Sequence, residues 1–221
     1  LTGDISDRFE CEQAVRFVDG IFHLAAFKHV GIAETQSREC IKSNTIGSLN
    51  LLELTADYDL DFNIGISTDK AAIVSGVYGA SKFLMEALYR QFEENYPDTK
   101  FRIVRYGNVL YSTGSVLCKW KDLLEKGETP IITEPKATRF FWTIDQAVDL
   151  IWECMLKAEN SSPYVPDMKA MKMGDLLQAM INKYSKDKDI KPEVIGLGQG
   201  ENLHEKILSD GLSSKDAKKF T

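Results

Sequence analysis

The feature that most constrains this chain is its alternation of short apolar runs with longer amphipathic stretches. Residues 21–26, 62–68 and 101–106 predict buried strands, and residues 37–58 and 78–96 predict the helices between them. Such alternation indicates an α/β domain with a mostly parallel sheet. Ligands of these sheets bind beyond the carboxyl ends of the strands, so functional residues are expected directly after each strand.

The second half of the chain continues the alternation in shorter pieces. Thr143 and Gln146 have the spacing of a capping box, which predicts the start of a helix. Residues 213–221 are polar and are expected to fray. The other expected elements are a helix near 116–125, short strands at 130–133, 163–166 and 192–197, and helices near 173–184 and 201–208.

Size and charge exclude several classes of protein. The chain has 221 residues, of which 43% are hydrophobic and 27% charged. That is enough for one sizeable domain, with or without a small lobe, and it is unlike a disordered chain. The net charge of -6 gives an acidic surface that repels phosphate backbones, so no nucleic-acid partner is expected.

The cysteines and the apolar runs bear on the cellular compartment. Cys11, Cys40, Cys118 and Cys154 form no C-x-x-C pair, which favours reduced thiols and a cytoplasmic location. No apolar run approaches the roughly 20 residues that span a bilayer. The first ten residues lack a secretory signal pattern. No membrane segment is therefore expected in this chain.

One tyrosine–lysine pair is distinguished by its position. Tyr78 and Lys82 lie four residues apart at the start of a predicted helix, so they share one face. A cation beside a tyrosine favours the phenolate, which can act as a general base. Tyr96 and Tyr184 also have a lysine at this spacing, and any one such pair is more often a solvated helix face. Only the Tyr78 pair follows a strand with a polar end, which favours the functional interpretation.

That strand ends in the polar sequence Ser67-Thr68-Asp69-Lys70. Asp69 and Lys70 place a carboxyl group and an amine side by side. Elimination of water needs such a set, because one group removes a proton while another protonates the departing oxygen. An ordinary loop ion pair is the alternative, and for the dipeptide alone it is the more common one.

Other polar residues give weaker signals. His23 falls within a predicted strand, where a hydrogen-bonded core histidine is expected, and no metal site is predicted. The glycines of residues 196–200 have the wrong spacing for a dinucleotide loop and predict a turn. The aromatic residues 140–142 are expected in a core. Arg139 beside them either pairs with a diphosphate or lies on the surface.

Together these residues resemble the extended short-chain dehydrogenase/reductase superfamily, and within it the soluble UDP-N-acetylglucosamine 4,6-dehydratases of polysaccharide biosynthesis. YGASK is typical of the whole superfamily, whereas STDKA with RYGNV and TRFFW is typical of the dehydratases. The resemblance covers nearly the whole chain. Its segments are HLAAFKHV (23–30), IKSNTIGSLNLLE (41–53), STDKAA (67–72), YGASK (78–82), RYGNVLYSTGSV (105–116), TRFFW (138–142), YVPDMKAMKMGDL (164–176) and GENLHE (200–205).

The resemblance implies a Rossmann-like, doubly wound parallel sheet with a small C-terminal substrate-binding lobe. Residues 1–114 and 141–167 would form the nucleotide-binding domain, truncated at its N-terminus, and residues 115–140 and 168–221 the lobe. The implied enzyme is an inverting UDP-N-acetylglucosamine 4,6-dehydratase with bound NADP, NAD being the alternative. It forms a 4-keto-6-deoxy UDP-sugar for surface glycans by internal hydride transfer.

By the same resemblance, the residues after the second strand take catalytic roles. Tyr78 is the base at the sugar's 4-hydroxyl, and Lys82 orients the cofactor ribose and assists the tyrosine. Lys70 is the base at carbon 5 and Asp69 the acid that helps the 6-hydroxyl to leave. Thr68 supports the sugar.

The role of Lys70 sets a requirement on its charge. A lysine acts as a base only when it is neutral, and the neighbouring cations Lys82 and Lys28 are expected to lower the pKa of Lys70.

The resemblance also indicates a branch of the family. Tyr78, where some membrane-bound relatives carry methionine, favours the soluble, carbon-5-inverting branch.

The resemblance also implies two sets of binding residues. The cofactor contacts are Asp4, Leu24, Ala25, Lys28, Asn44, Ile66, Ser67, Tyr78, Lys82, Val109, Leu110, Tyr111, Ser112 and Thr113. The contacts to a UDP-N-acetylhexosamine substrate are Lys28, Tyr78, Asn108, Val116, Thr133, Arg139 and Glu201.

The chain also departs from that family. The strand, glycine-rich loop and helix that hold the cofactor's pyrophosphate have no counterpart here, so we expect a piece of an enzyme that starts roughly sixty residues earlier. The family's R-P-G-E-K-L-H-E reads GQGENLHE over residues 198–205. Two cations expected to meet the nucleotide are therefore absent from this motif.

Two alternatives to the dehydratase stay open. A UDP-sugar 4-epimerase or 4-reductase needs no base at carbon 5, so Asp69-Lys70 argues against it. A non-catalytic nucleotide-sugar binding or assembly module is favoured by the missing glycine loop and opposed by the intact acid–base set. Whichever function is correct, we also expect a homo-oligomer, because a helix face with Phe83, Leu84 and Leu88 can pair between subunits.

Overall fold

Three parallel strands form the centre of the protein in a computed structural model that describes residues 1–219. These strands are β1, β2 and β3, in that order across the sheet. The helices are α1 (Arg8–Val15), α2 (Val30–Thr35), α3 (Ser37–Ile41), α4 (Gly47–Asp57), α5 (Val77–Asn95), α6 (Val116–Lys126), α7 (Ile144–Lys157) and α8 (Met173–Tyr184). The strands are β1 (Gly20–His23), β2 (Phe62–Thr68), β3 (Lys100–Tyr106), β4 (Asn108–Val109), β5 (Ile131–Ile132), β6 (Thr138–Trp142), β7 (Lys169–Lys172) and β8 (Glu193–Val194).

The central sheet has helices on both faces, which confirms the predicted α/β class. Helices α4 and α5 connect the parallel strands and cover one face, where Leu52 and Met85 pack on Ile103. Helix α7 covers the other face, where Leu150 packs near Val104. Ile103 and Val104 are successive residues of β3, so their side chains point to opposite faces. Burial of both apolar faces stabilises the three layers.

A second core lies between α6 and α8. It is built around Trp120 and includes Leu124, Leu177 and Ile181. Phe141 of β6 also belongs to this core, whereas its neighbour Phe140 packs on a separate cluster with Met168 and Ile207. The aromatic run at 140–142 was expected in a core, and its two phenylalanines are buried. That it forms a strand paired with β4 and β7 was not predicted.

The predicted helix 37–58 is interrupted by a π-helical turn at Lys42–Ile46. The interruption has a physical cause. Asn44 lies in that turn, and its side chain accepts a hydrogen bond from the Phe27 amide at 2.7 Å and donates one to the Phe27 carbonyl at 2.9 Å. The turn directs this amide onto the loop after β1, and π-helical turns are frequent at functional sites.

Several predicted elements differ from the structure. The first strand ends at His23 rather than at residue 26, and residues 163–166 form only an isolated bridge through Tyr164. Residues 201–208 were predicted as a helix and are irregular, with His204 bridged to Thr138. The predicted fraying of the tail is wrong for residues 213–219, where Ser214 is buried against β6; the last two residues lie outside the described part.

The predicted division into a nucleotide-binding domain and a lobe stays a prediction. Strand β6 crosses the predicted boundary between residues 140 and 141, so one strand contributes to both parts. Within residues 1–219, every helix is too short or too polar to cross a membrane.

Candidate active site

A cavity of about 480 Å³ opens at the carboxyl ends of the central strands, and α6 and the segment around β6 form its other wall. The location is the one expected for a parallel sheet. Residues that follow β1, β2 and β3 line it, as do residues of α5 and of the C-terminal segment. Its volume lies within the range of small-molecule sites.

Thr68, Asp69 and Lys70 form one hydrogen-bonded unit at the end of β2. The Thr68 hydroxyl donates to Asp69 Oδ1 at 2.9 Å, and Lys70 Nζ donates to the same oxygen at 3.0 Å. Thr68 and Lys70 line the cavity, whereas Asp69 lies behind them and is buried. Asp69 Oδ2 makes no hydrogen bond with the described residues. Thr68 and Lys70 therefore lie between the Asp69 carboxylate and the cavity, and both are hydrogen-bonded to that carboxylate.

Lys70 is held as a cation, contrary to the expectation that nearby cations lower its pKa. Burial does act to lower the pKa of Lys70. The carboxylates of Asp69 and Glu205 act in the opposite direction and prevail over burial and Arg139, so the pKa of Lys70 is raised above its ordinary value. The expectation was wrong because the groups nearest to Lys70 are carboxylates rather than Lys28 and Lys82.

Tyr78 and Lys82 lie one turn apart on α5 and both line the cavity. Lys82 is buried, and its Nζ donates to the Ile66 carbonyl at 2.7 Å. Burial lowers the pKa of Lys82 to about 8, although Glu86 acts to raise it. Burial also raises the pKa of Tyr78, and the positive charge of Lys70 opposes that shift.

The predicted cofactor residues fall into two groups. Some of them line the cavity and the others do not. Those at the wall are Leu24, Lys28, Ile66, Ser67, Tyr78, Lys82, Val109 and Ser112; those not among the lining residues are Asp4, Ala25, Asn44, Leu110, Tyr111 and Thr113.

The second group has other contacts. Asp4 is exposed and its carboxylate accepts hydrogen bonds from Ser6, and Asn44 braces the loop after β1. Thr113 offers its carbonyl to Lys28 Nζ, and Tyr111 pairs its hydroxyl with that of Tyr184. As cofactor contacts these residues are not supported by the cavity geometry.

Every predicted substrate residue lines the cavity. They are Lys28, Tyr78, Asn108, Val116, Thr133, Arg139 and Glu201. Residues from positions 28 to 201 thus converge on one space, although their roles stay predictions. Lys28 and Arg139 place two cations there, which suits a phosphorylated ligand.

Sequence reasoning assigned no role to two buried charged groups. Glu205 lines the cavity, and in the sequence it is marked only as the last residue of the GENLHE segment. Glu86 lies deeper, where it accepts bonds from the Ser67 hydroxyl and from Arg105 Nε at 2.9 Å. Arg105 belongs to the quoted RYGNV segment, but nothing in the sequence pairs it with Glu86.

The other polar residues discussed above have structural roles. His23 is buried, and its Nε2 lies 2.8 Å from the Ser48 hydroxyl. Burial lowers the pKa of His23 to about 3, so the ring is neutral. Gly200 has φ +77° and packs on Gly76, as expected of a turn. Within the described residues, no three His, Cys, Asp or Glu side chains are grouped as metal ligands.

The parallel sheet with helices on both faces and a cavity at the carboxyl ends of its strands defines a Rossmann-like α/β protein. Tyr78 and Lys82 lie side by side on α5, in agreement with the resemblance of YGASK to short-chain dehydrogenases/reductases. A family model described as polysaccharide biosynthesis protein matches residues 1–220, and the chain belongs to that family.

Two curated relatives and one solved structure are similar to this chain over most of its length. An uncharacterized membrane protein of Methanocaldococcus jannaschii is 36% identical, with 93% of this chain and 64% of that protein covered. An inverting UDP-N-acetylglucosamine 4,6-dehydratase of Campylobacter jejuni is 33% identical, with 94% of this chain and 61% of that protein covered. The X-ray structure of Pen from Bacillus thuringiensis superposes with a TM-score of 0.90 at 30% identity, and 94% of this chain and 66% of Pen are covered. The chain thus spans about three-fifths of the length of these proteins.

Proposed function

We propose that this chain belongs to an enzyme that removes water from UDP-N-acetylglucosamine, an inverting 4,6-dehydratase dependent on NADP. The observation that supports this most is the meeting of Thr68, Lys70 and Tyr78 on one cavity wall, with Asp69 directly behind. The product would be a 4-keto-6-deoxy UDP-sugar for surface glycans. The name of the Campylobacter jejuni relative is consistent with this reaction.

The cavity fits the nicotinamide end of a dinucleotide. Leu24 and Ile66 supply apolar wall at the ends of β1 and β2, and Lys82 places a buried ammonium beside them. A ribose hydroxyl can accept a hydrogen bond from that ammonium. When bound, the nicotinamide supplies hydride exchange with the sugar. The choice of NADP over NAD rests on the sequence resemblance.

Tyr78 is the residue that receives the proton of the sugar's 4-hydroxyl in this proposal. It can do so only as a phenolate, which the positive charge of Lys70 favours and burial disfavours. The 4-ketone that results makes the proton on carbon 5 acidic. A side-chain amine is then a sufficient base for that proton.

Lys70 and Asp69 become a base and an acid by exchanging one proton. Transfer from Lys70 Nζ to Asp69 Oδ1, which are 3.0 Å apart, gives a neutral amine and a neutral carboxyl group. The amine then takes the proton from carbon 5. The Asp69 proton passes through the Thr68 hydroxyl to the departing 6-oxygen, which leaves as water. Lys70 is again an ammonium and Asp69 a carboxylate. Carbon 6 then takes back the hydride that left carbon 4, and carbon 5 takes one proton from solvent, which completes the 6-methyl group. Tyr78 releases to solvent the proton it received, so all three side chains regain their starting charges.

Lys28 and Arg139 are the proposed contacts to the diphosphate of the substrate. Both line the cavity, so two positive charges are available to a diphosphate there although the chain as a whole is acidic. As part of the same proposal, two copies pair through α5, where Phe83 and Leu84 are exposed.

The proposal is tested by incubating the protein with NADP and UDP-N-acetylglucosamine and following the sugar nucleotide by mass spectrometry. We expect a loss of mass equal to one water in the wild type, and none with Lys70→Ala or Tyr78→Phe. An unchanged rate in Lys70→Ala would remove Lys70 as the base. Conversion to an isomer of equal mass would favour a 4-epimerase, and binding without turnover a non-catalytic module.

A further inference from the structure

Glu205 is a buried carboxylate at the cavity for which the proposed reaction has no role. It is 2% exposed, yet it lines the cavity. Its Oε2 accepts a weak hydrogen bond from Asn202 Nδ2 at 3.3 Å, while Oε1 makes no hydrogen bond with the described residues. A buried carboxylate so poorly hydrogen-bonded is costly unless nearby cations stabilise it.

Two cations lie close to the oxygen that has no hydrogen bond. Lys70 Nζ is 3.6 Å from Glu205 Oε1, and Arg139 Nε is 3.9 Å from it. On its other side, Lys70 Nζ lies 3.0 Å from Asp69. The ammonium therefore lies between two carboxylates, and the four charged groups together are neutral.

The backbone at Glu205 is fixed to β6. The Glu205 amide donates to the Ser214 hydroxyl at 2.8 Å, and the Ser214 amide donates back to the Glu205 carbonyl at 2.7 Å. The Ser214 hydroxyl also contacts the Thr138 hydroxyl at 2.7 Å. Thr138 precedes Arg139, so this bonding fixes the carboxylate relative to both cations.

We infer that Glu205 is a positioning residue that, together with Asp69, holds the Lys70 ammonium in place at the cavity wall. The groups that face Lys70 are Asp69 from the turn after β2, Glu205 from the C-terminal segment, Arg139 from β6 and Tyr78 from α5. Only Glu205 comes from residues 201–208, so this segment supplies one of the two carboxylates that contact the Lys70 ammonium, from far away in sequence. The kinetic part of the inference rests on the proposed function; the positioning itself does not.

The test measures the proton affinity of Lys70 by competitive acetylation with trace acetic anhydride, read by mass spectrometry over a range of pH. Dividing each rate by the rate at the alkaline plateau removes differences in access to the amine. In Glu205→Gln we expect Lys70 to react about tenfold faster at pH 8, because loss of the neighbouring negative charge increases its neutral fraction. Glu205→Asp keeps the charge and should stay near the wild type.

Two controls make the result specific. Glu94→Gln removes an exposed carboxylate at the opposite end of α5 and should leave Lys70 unchanged. In the wild type alone, Lys70 should reach half its plateau at a higher pH than the exposed Lys126, a comparison that needs no variant to fold. A wild-type acetylation profile for Lys70 in folded Glu205→Gln, or a lower half-plateau pH than that of Lys126, would overturn the inference.

Kinetics separate this inference from the proposed function. If dehydration occurs, kcat should fall in Glu205→Gln while KM for the sugar nucleotide stays constant. The larger neutral fraction of Lys70 would by itself raise kcat, so a fall reports the loss of the amine's position. Glu205→Asp should restore part of kcat. Acetylation requires no turnover, so it decides the inference even if the wild type leaves the sugar unchanged. Dehydration by the wild type with an unaltered kcat in Glu205→Gln would refute the positioning role and leave the proposed function standing.

Discussion

The buried pair between Glu86 and Arg105 should be the most destabilising charged site to disrupt. Glu86 is 1% exposed and lies on α5, and Arg105 is 6% exposed and lies on β3. Two guanidinium nitrogens bind the carboxylate, Nε at 2.9 Å and Nη2 at 2.5 Å. The Ser67 hydroxyl donates to the same carboxylate, and Arg105 Nη1 donates to the Ile207 carbonyl at 2.8 Å.

Glu86→Leu would leave the guanidinium buried with one backbone acceptor. Removing one partner of a buried pair costs about 3–5 kcal/mol, because the other charge stays desolvated. For a chain of this size we expect the melting temperature to fall by about 10 °C. The double variant Glu86→Leu with Arg105→Met should recover part of that loss, since neither charge remains.

The assay is urea unfolding followed by circular dichroism, without ligand, for both single variants and the double variant. Glu153→Gln is the matched control, because it breaks an exposed pair with Lys157 and should leave the unfolding midpoint unchanged. A loss below about 1 kcal/mol in Glu86→Leu, or a double variant less stable than either single one, would refute the reasoning.

Two further predictions concern stability. The pKa of His23 is about 3 in the fold against about 6.5 when unfolded, so the unfolded state binds more protons. The contribution of the neutral His23 ring to the free energy of unfolding should be fully present above pH 6.5, and that free energy should fall by up to about 1.4 kcal/mol per pH unit below it. Urea unfolding at pH 7.5 and 5.5 should show a smaller loss of stability at the lower pH in His23→Gln than in the wild type. Gly76→Ala should cost about 1–3 kcal/mol in the same assay, because its Cβ would lie 2.4 Å from Glu34 Oε1 and 2.8 Å from Gly200 Cα. Gly31→Ala meets no atom within 4 Å and should cost nothing; equal losses in the two variants would contradict this account.

The sheet and its long helices could be predicted because their apolar period is local. Strand Phe62–Thr68 and helix Met173–Tyr184 have the predicted bounds, and the capping box at Thr143 forms. Strand β6 was missed because its pairing partners, β4 and β7, lie far away in sequence. The π-helical turn was missed because its cause, the contact between Asn44 and Phe27, is a tertiary one.

The candidate site shows the same limit. Motif spacing placed Tyr78 and Lys82 on one face of α5, and the structure agrees. The direction of the pKa shift of Lys70 was predicted wrongly. Asp69, its neighbour in sequence, contributes most to raising that pKa, and Glu205, which adds to the effect, approaches Lys70 only through the fold, from 135 positions further along the chain. Asp4 and Leu110 were expected as cofactor contacts from the family resemblance alone. They are not among the residues that line the cavity, and their role stays a prediction.

The most direct test of the central claim is proton NMR of UDP-N-acetylglucosamine in deuterated buffer with NADP. It should be run on the wild-type protein and on Lys70→Ala in parallel. We predict a sugar with a 6-methyl group, a 4-keto group and deuterium at carbon 5, with ring couplings that show inversion, and no such product with Lys70→Ala. An unchanged sugar with the wild-type protein, or a 4-epimer without deuterium at carbon 5, would contradict the account.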